Sequence, residues 1–225
     1  MAGPIHLRPH EDVAERVLLP GDPGRALRLA QQLLDGPRML NHNRGLWGYS
    51  GPAADGAPLT IQSTGLGGPS AAIVTEELIA LGARRLVRVG SCGALADLPL
   101  GSLVIAEAVR VRDGASRALG AEGDLPADPG LLAGLRTAGD GVASGLVIST
   151  DLYYDPARAG GGAVALDLTA GAVFAVAARH GVAAAAVLAV SDRLGSGERI
   201  EPAALEAAEV ELGRVGAAAL SEPTL

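Results

Sequence analysis

Arg88 stands inside an apolar run, Val87-Arg-Val-Gly-Ser-Cys-Gly-Ala94. A charge at such a place needs a partner, because an unpaired ion in a protein interior is very costly. Two partners are open to it: an internal Asp or Glu in a structural ion pair, or an anionic ligand at the C-terminal end of the strand, where open α/β sheets bind ligands. The segment Leu18-Leu-Pro-Gly-Asp-Pro-Gly-Arg-Ala26 puts a glycine turn ahead of a helix, with Arg25 in the first helical turn. Backbone N–H groups at such a start favour an anion, although a plain strand-to-helix turn has the same composition and this one carries neither a P-loop lysine nor a GxGxxG run. Ser63-Thr-Gly-Leu-Gly-Gly-Pro-Ser70 is another glycine-rich turn, and with the Gly-Ser turn read after Arg88 it makes three, which points to a phosphate or sugar cleft. Farther on, Ser191-Asp192 closes the apolar run Ala183–Val190. A carboxyl at the tip of a buried strand can act as an acid or simply cap the next turn. Tyr153 and Tyr154, two of the three tyrosines, stand side by side and suit either a ligand wall or ordinary packing.

The elements that must hold these residues follow from hydrophobic periodicity. Short apolar runs predict strands at Arg16–Leu19, Leu59–Ser63, Arg85–Gly90, Leu103–Ala108, Gly145–Ser149, Ala163–Asp167 and Ala184–Val190. Helical patterns fall at Gly24–Leu34, Pro69–Leu81, Gly130–Thr137, Ala170–His180 and Pro202–Leu220. This alternation is the signature of a largely parallel sheet with helical crossovers. Arg110–Pro129, rich in Gly, Ala and Asp, is expected to be a long surface loop. No repeat or linker divides the chain, so residues 1–225 are expected to form one domain.

Composition narrows the function. Hydrophobic residues make up 48% of the chain but aromatics only 2%, and small side chains of this kind suit helices packed closely on a parallel sheet. The formal charge of -7 argues against nucleic acid or an anionic membrane as partner. All 18 basic residues are arginine, so an anion site must be built from guanidinium groups, backbone N–H groups or hydroxyls. The single cysteine, Cys92, permits neither an intramolecular disulfide nor a cysteine-based metal cluster. With no signal-peptide pattern in MAGPIHLRPHED and no apolar run of membrane length, a soluble, cytoplasmic protein is expected.

Taken in order, six segments resemble the nucleoside phosphorylase family, and most closely its hexameric purine nucleoside phosphorylase branch. They are PGDPxRA at Pro20–Ala26, NxRGxxGxxG at Asn41–Gly51, TGxGxPS at Thr64–Ser70, RVGSCGA at Arg88–Ala94, STDLYY at Ser149–Tyr154 and VSD at Val190–Asp192. The resemblance implies an α/β fold of three layers, α/β/α, around a mixed central β-sheet. It implies that Gly21, Arg25, Arg88 and Ser91 hold phosphate, and that Arg44 reaches the phosphate of a neighbouring subunit. The active site is then shared in at least a dimer, and a hexamer is favoured. His6, one residue closer to Gly21 than the family pattern has it, corresponds to a histidine placed on a neighbour's sugar 5′-hydroxyl. Asp192, after Ser191, corresponds to the acid that protonates or hydrogen-bonds N7 of a departing purine, and Tyr153 and Tyr154 fall where aromatics cover base and sugar. The activity implied is phosphorolysis of purine nucleosides, with inorganic phosphate as co-substrate and no metal or organic cofactor, because the chemistry rests on positioning and electrostatics.

Some residues depart from the family pattern. Its Glu-Met-Glu segment, whose second Glu clamps the ribose hydroxyls, corresponds here to Asp167-Leu168-Thr169. Thr169 offers a neutral hydroxyl in place of a carboxylate, a difference of about 1–2 kcal/mol in hydrogen bonding. Asp167, two residues earlier, faces the same side of an extended segment and is a candidate replacement. The arginine that assists the base-side acid in some relatives is absent near Leu205, leaving Arg193 or Arg199 to substitute. Rival readings are a uridine or broad-specificity phosphorylase, a hydrolytic nucleosidase of the same fold, and a nucleoside-binding protein with weakened catalysis.

Overall fold

A computed structural model describes residues 3–154 and 161–221. Its strands are β1 Arg16–Leu19, β2 Arg38–Asn41, β3 Gly48–Pro52, β4 Pro58–Gln62, β5 Arg85–Ala94, β6 Leu103–Val111, β7 Asp124–Pro126, β8 Ala143–Ser149, β9 Ala165–Asp167 and β10 Ala183–Arg193. Its helices are α1 Pro23–Leu33, α2 Gly68–Ala80, α3 Gly114–Ala118, α4 Pro129–Ala138, α5 Ala170–His180 and α6 Pro202–Leu220. The five expected helices and seven expected strands all occur, with ends shifted by a few residues.

All the strands join in one mixed sheet. β1 pairs in parallel with β4 and β5, and β5 in parallel with β10, whereas β10–β6, β5–β9 and the β2–β3–β4 run are antiparallel. Because β10 bonds to β5 as well as to β6, the path β10–β6–β8–β9–β5 returns on itself and that half of the sheet closes. Helices cover both faces: α6 packs on α1 and α4, while α2, α3 and α5 pack on one another. Strands buried on both faces read as continuous apolar runs, and β10, with Ala184–Val190 buried throughout, is the extreme case. Its alanines let α5 and α6 approach the sheet from opposite sides.

Two expectations need correction, and one hairpin was not expected. The strand holding Arg88 continues to Ala94, so Gly90 and Ser91 form no turn. Here β5 takes a second partner, pairing Gly93 and Ala94 with β9 while still bonded to β10, which keeps the glycine-containing stretch extended. Arg110–Pro129 is also no simple loop. β6 runs to Val111, the fully buried Asp113 caps the single-turn helix α3 through the Ser116 N–H, and β7 pairs back on β6. One capped turn carries no periodicity to read, and its side-chain cap does the ordering. Finally, β2 and β3 form a hairpin that polar and glycine residues concealed.

Candidate active site

The ends of β1, β5, β9 and β10 open on one cavity of about 380 Å3. Its anion end is built from Gly21, Arg25, Arg88 and Ser91. α1 starts there, with the Asp22 side chain accepting from the Arg25 N–H at 2.6 Å. Gly21 leaves little room for a side chain, since a Cβ would stand 3.3 Å from Arg88 Nη1 and 3.4 Å from the Gly65 carbonyl oxygen. Gly90 leaves less, because a side chain there would overlap the Arg88 guanidinium.

Arg88 has the internal carboxylate partner and also a place on the cavity wall. It is 5% exposed and lines the cavity, and it also makes an ion pair, Nη2 lying 3.1 Å from Asp167 Oδ2 while Nη1 donates to the Leu19 carbonyl at 3.2 Å. Arg25, 5% exposed, pairs with Glu209 at 2.8 Å. Burial holds its guanidinium below the ordinary arginine value, against the pull of Glu209. Each arginine still keeps a buried Nε–H with no hydrogen-bond partner.

The opposite end holds Ser191 and Asp192. A bulge between Val190 and Asp192 shifts the register of β10 against β5, a device that re-aims side chains next to functional sites. Ser191 Oγ lies 2.8 Å from Asp192 Oδ1 and 3.1 Å from the Cys92 carbonyl oxygen. Of the two substitute arginines, Arg193 is committed elsewhere, to the Leu98 carbonyl and Glu198. Arg199 instead forms a backbone bridge with Asp192 and sits 5.9 Å from the Tyr153 ring centre, within cation–π range.

Between the ends lie Tyr153, Leu166, Asp167, Leu168 and Thr169. Asp167, 2% exposed, has both oxygens engaged: Oδ2 by Arg88, Oδ1 by the N–H groups of Thr169 and Ala170 where α5 begins. These three bonds leave the Asp167 carboxylate one acceptor position, on Oδ2. Tyr154 is 85% exposed and lies outside the cavity, its edge against the Tyr153 ring.

His6 and Arg44 do not line this cavity either. They share a scaffold instead: the Asn43 side chain donates to the His6 carbonyl at 2.7 Å, and Arg44 follows in an exposed turn. Arg44 has φ 59°, the only positive value at a non-glycine among the described residues, a conformation that costs free energy and clusters at functional sites. Glu77 anchors the segment, accepting from the N–H groups of Ile5, His6 and Leu7 and from His6 Nδ1 at 2.7 Å. Residues that the sequence left unassigned include Asp22, Leu66, Cys92 and Leu194 in the wall, Glu209 behind Arg25 and Glu77 under the His6 segment. Glu209 did carry a signal, a charge on the apolar stripe of α6 through residues 205, 209, 212, 216 and 219.

The closed mixed sheet thus carries one cleft lined by two buried arginines and by the Asp167 and Asp192 carboxyls. The sequence model of the phosphorylase superfamily matches residues 15–221, and the chain belongs to that superfamily. It is 43% identical over 105 residues to a DeoD-type purine nucleoside phosphorylase of Caldanaerobacter subterraneus subsp. tengcongensis, covering 45% of each chain. It is 43% identical over 119 residues to a guanosine phosphorylase of Halorubrum lacusprofundi (52% of this chain, 48% of the relative) and 41% identical over 107 residues to a uridine phosphorylase of Treponema pallidum (47% and 41%). These matches span less than half the length of the curated relatives. A crystal structure of uridine phosphorylase from Vibrio fischeri superposes over 92% of this chain and 90% of its own, with a TM-score of 0.80 and 27% identity.

Proposed function

We propose that the chain is a pentosyltransferase that cleaves the N-glycosidic bond of nucleosides with inorganic phosphate, and that its substrates are purine nucleosides. The observation that carries this is the pair of buried arginines, Arg25 and Arg88, lining one cavity together with Ser91, Ser191 and Asp192. Bond cleavage develops positive charge on the sugar. A phosphate dianion oriented by Arg25, Arg88, Ser91 and the Gly21 N–H stabilises that charge and then captures the anomeric carbon. Asp192 serves the departing base by donating to N7 of a purine, with Arg199 beside it. Tyr153, Leu168 and Thr169 wall the nucleoside. The reaction needs no metal or organic cofactor, because positioning and electrostatics supply its catalysis.

The site is completed by a second copy of the chain, whose Arg44 adds a third guanidinium to the phosphate and whose His6 meets the sugar 5′-hydroxyl. Supporting this, the two residues share one scaffold, stand outside the cavity of their own chain, and include the strained Arg44 backbone. A uridine phosphorylase is the second reading, favoured by the superposed Vibrio fischeri enzyme. Base release from inosine, guanosine, adenosine and uridine, each with and without phosphate, tests the assignment. Release from the purine nucleosides only when phosphate is present is expected. Equal release without phosphate identifies a hydrolase, and a preference for uridine identifies the second reading. No release from any nucleoside, with nucleoside still bound, leaves a binding protein.

A further inference from the structure

Glu209 is a buried charge on a helix that contributes nothing to the cavity wall. It sits 4% exposed on the sheet-facing side of α6, with Leu212, Gly213, Val215 and Gly216. An unpaired carboxylate there would be severely destabilising, and Glu209 is paired twice. Oε1 lies 2.8 Å from Arg25 Nη2 and Oε2 lies 2.5 Å from Arg28 Nη2. The two arginines are i and i+3 on α1, so they share a face, and one carboxylate spans them.

The reach depends on how closely α6 lies on α1. Gly213 is one turn beyond Glu209, and a Cβ there would overlap the Leu29 side chain. With glycine at that position the helices touch, and the glutamate reaches both guanidiniums. Of the two arginines, only Arg25 lines the cavity, while Arg28 is partly exposed and outside it.

We propose that Glu209 is a positioning residue of the anion site: spanning Arg25 and Arg28, it fixes the Arg25 guanidinium in the orientation that receives phosphate. The proposal rests on the phosphorolytic reading of the cavity, and it makes a prediction opposite in sign to simple charge counting. Removing a carboxylate makes the neighbourhood more positive, so electrostatics alone predicts tighter phosphate binding. Loss of positioning predicts weaker binding, because a guanidinium freed from its carboxylate contact at Oε1 gives up its fixed orientation.

The measurement is inorganic phosphate binding to the full chain, by calorimetry and by phosphate-induced shift in Tm, alongside steady-state kinetics. For Glu209→Gln, phosphate affinity is expected to fall by about tenfold, the loss of one or two charge-assisted hydrogen bonds. The phosphate KM should rise in step while the nucleoside KM stays within about twofold. Unchanged or tighter phosphate binding overturns the proposal, as does a parallel rise in both KM values. Should Glu209→Gln fail to fold, Arg28→Gln carries the test, since Arg28 is partly exposed and outside the cavity. It releases one end of the clamp, and roughly a threefold loss of phosphate affinity at constant nucleoside KM is expected; unchanged affinity overturns the proposal. If the wild-type chain itself binds no phosphate, the reading of the cavity fails, and this inference with it.

Discussion

At the scale of single residues, the buried charges decide what the cavity can do. Arg88 was conspicuous in the sequence because a charge interrupts an apolar strand. Its neighbour Asp167 was legible only as one of two candidates for the sugar, because spacing reveals which face a residue takes but not which hydrogen bonds its oxygens make. With Oδ2 on Arg88 and Oδ1 on the start of α5, Asp167 is held mainly by its own chain, and on the proposed reading Thr169 is the sugar contact. A neutral contact penalises a missing sugar hydroxyl far less than a buried charged one does. The expected kcat/KM for a 2′-deoxynucleoside is therefore within roughly tenfold of the ribonucleoside, about 1.4 kcal/mol. Asp167→Asn should lower both by the same factor. A wild-type preference for ribose of several hundredfold that Asp167→Asn abolishes would show instead that Asp167 holds the sugar.

At the scale of elements, the regular pieces were readable and the irregular ones were not. β1, α5 and α6 announced themselves by apolar period, whereas α3 depends on the Asp113 cap and β2–β3 on pairing, neither of which leaves a period. The continuation of β5 through Gly90 and Ser91 was hidden for a related reason: glycine normally weakens a strand, and here it makes room for Arg88. One ion pair ties several elements together. Arg16 on β1 donates to Asp55 in the β3–β4 turn and to the Pro58 and Ala57 carbonyls. Hydrogen bonding from Arg16 pulls the Asp55 carboxyl well below the usual carboxylate range. A carboxyl whose folded value is depressed contributes stability that is present above its unfolded value and is lost as the pH falls towards the folded one. Asp55→Asn should accordingly cost about 1–2 kcal/mol near pH 7, the scale of a charge-assisted hydrogen-bond pair. The difference between wild type and variant should shrink as the pH falls below the ordinary carboxylate value, where the unfolded chain takes up a proton that folded Asp55 does not. Denaturant melts at neutral pH and at pH 3 check this, and a gap that widens at low pH contradicts it.

At the scale of the whole molecule, the site within one chain is incomplete in charge. Glu209 and Asp167 offset much of the charge of its two cavity arginines, and on the proposed reading the exposed Arg44 of a second copy adds a further guanidinium for the dianion. Among the described residues no helix is long and apolar enough to cross a membrane. Subunit sharing is checked by complementation. Arg44→Ala and Arg88→Ala should each be nearly inactive alone, yet after joint unfolding and reassembly should regain activity, because a mixed pair rebuilds one intact site. No regain in demonstrably mixed oligomers would place Arg44 outside the site. The central claim, that phosphate and not water takes the sugar, is met most directly by the fate of the sugar itself. Inosine turned over in the presence of inorganic phosphate should yield pentose 1-phosphate in a one-to-one ratio with hypoxanthine, while free phosphate falls by the same amount. Free pentose with phosphate unconsumed would contradict it.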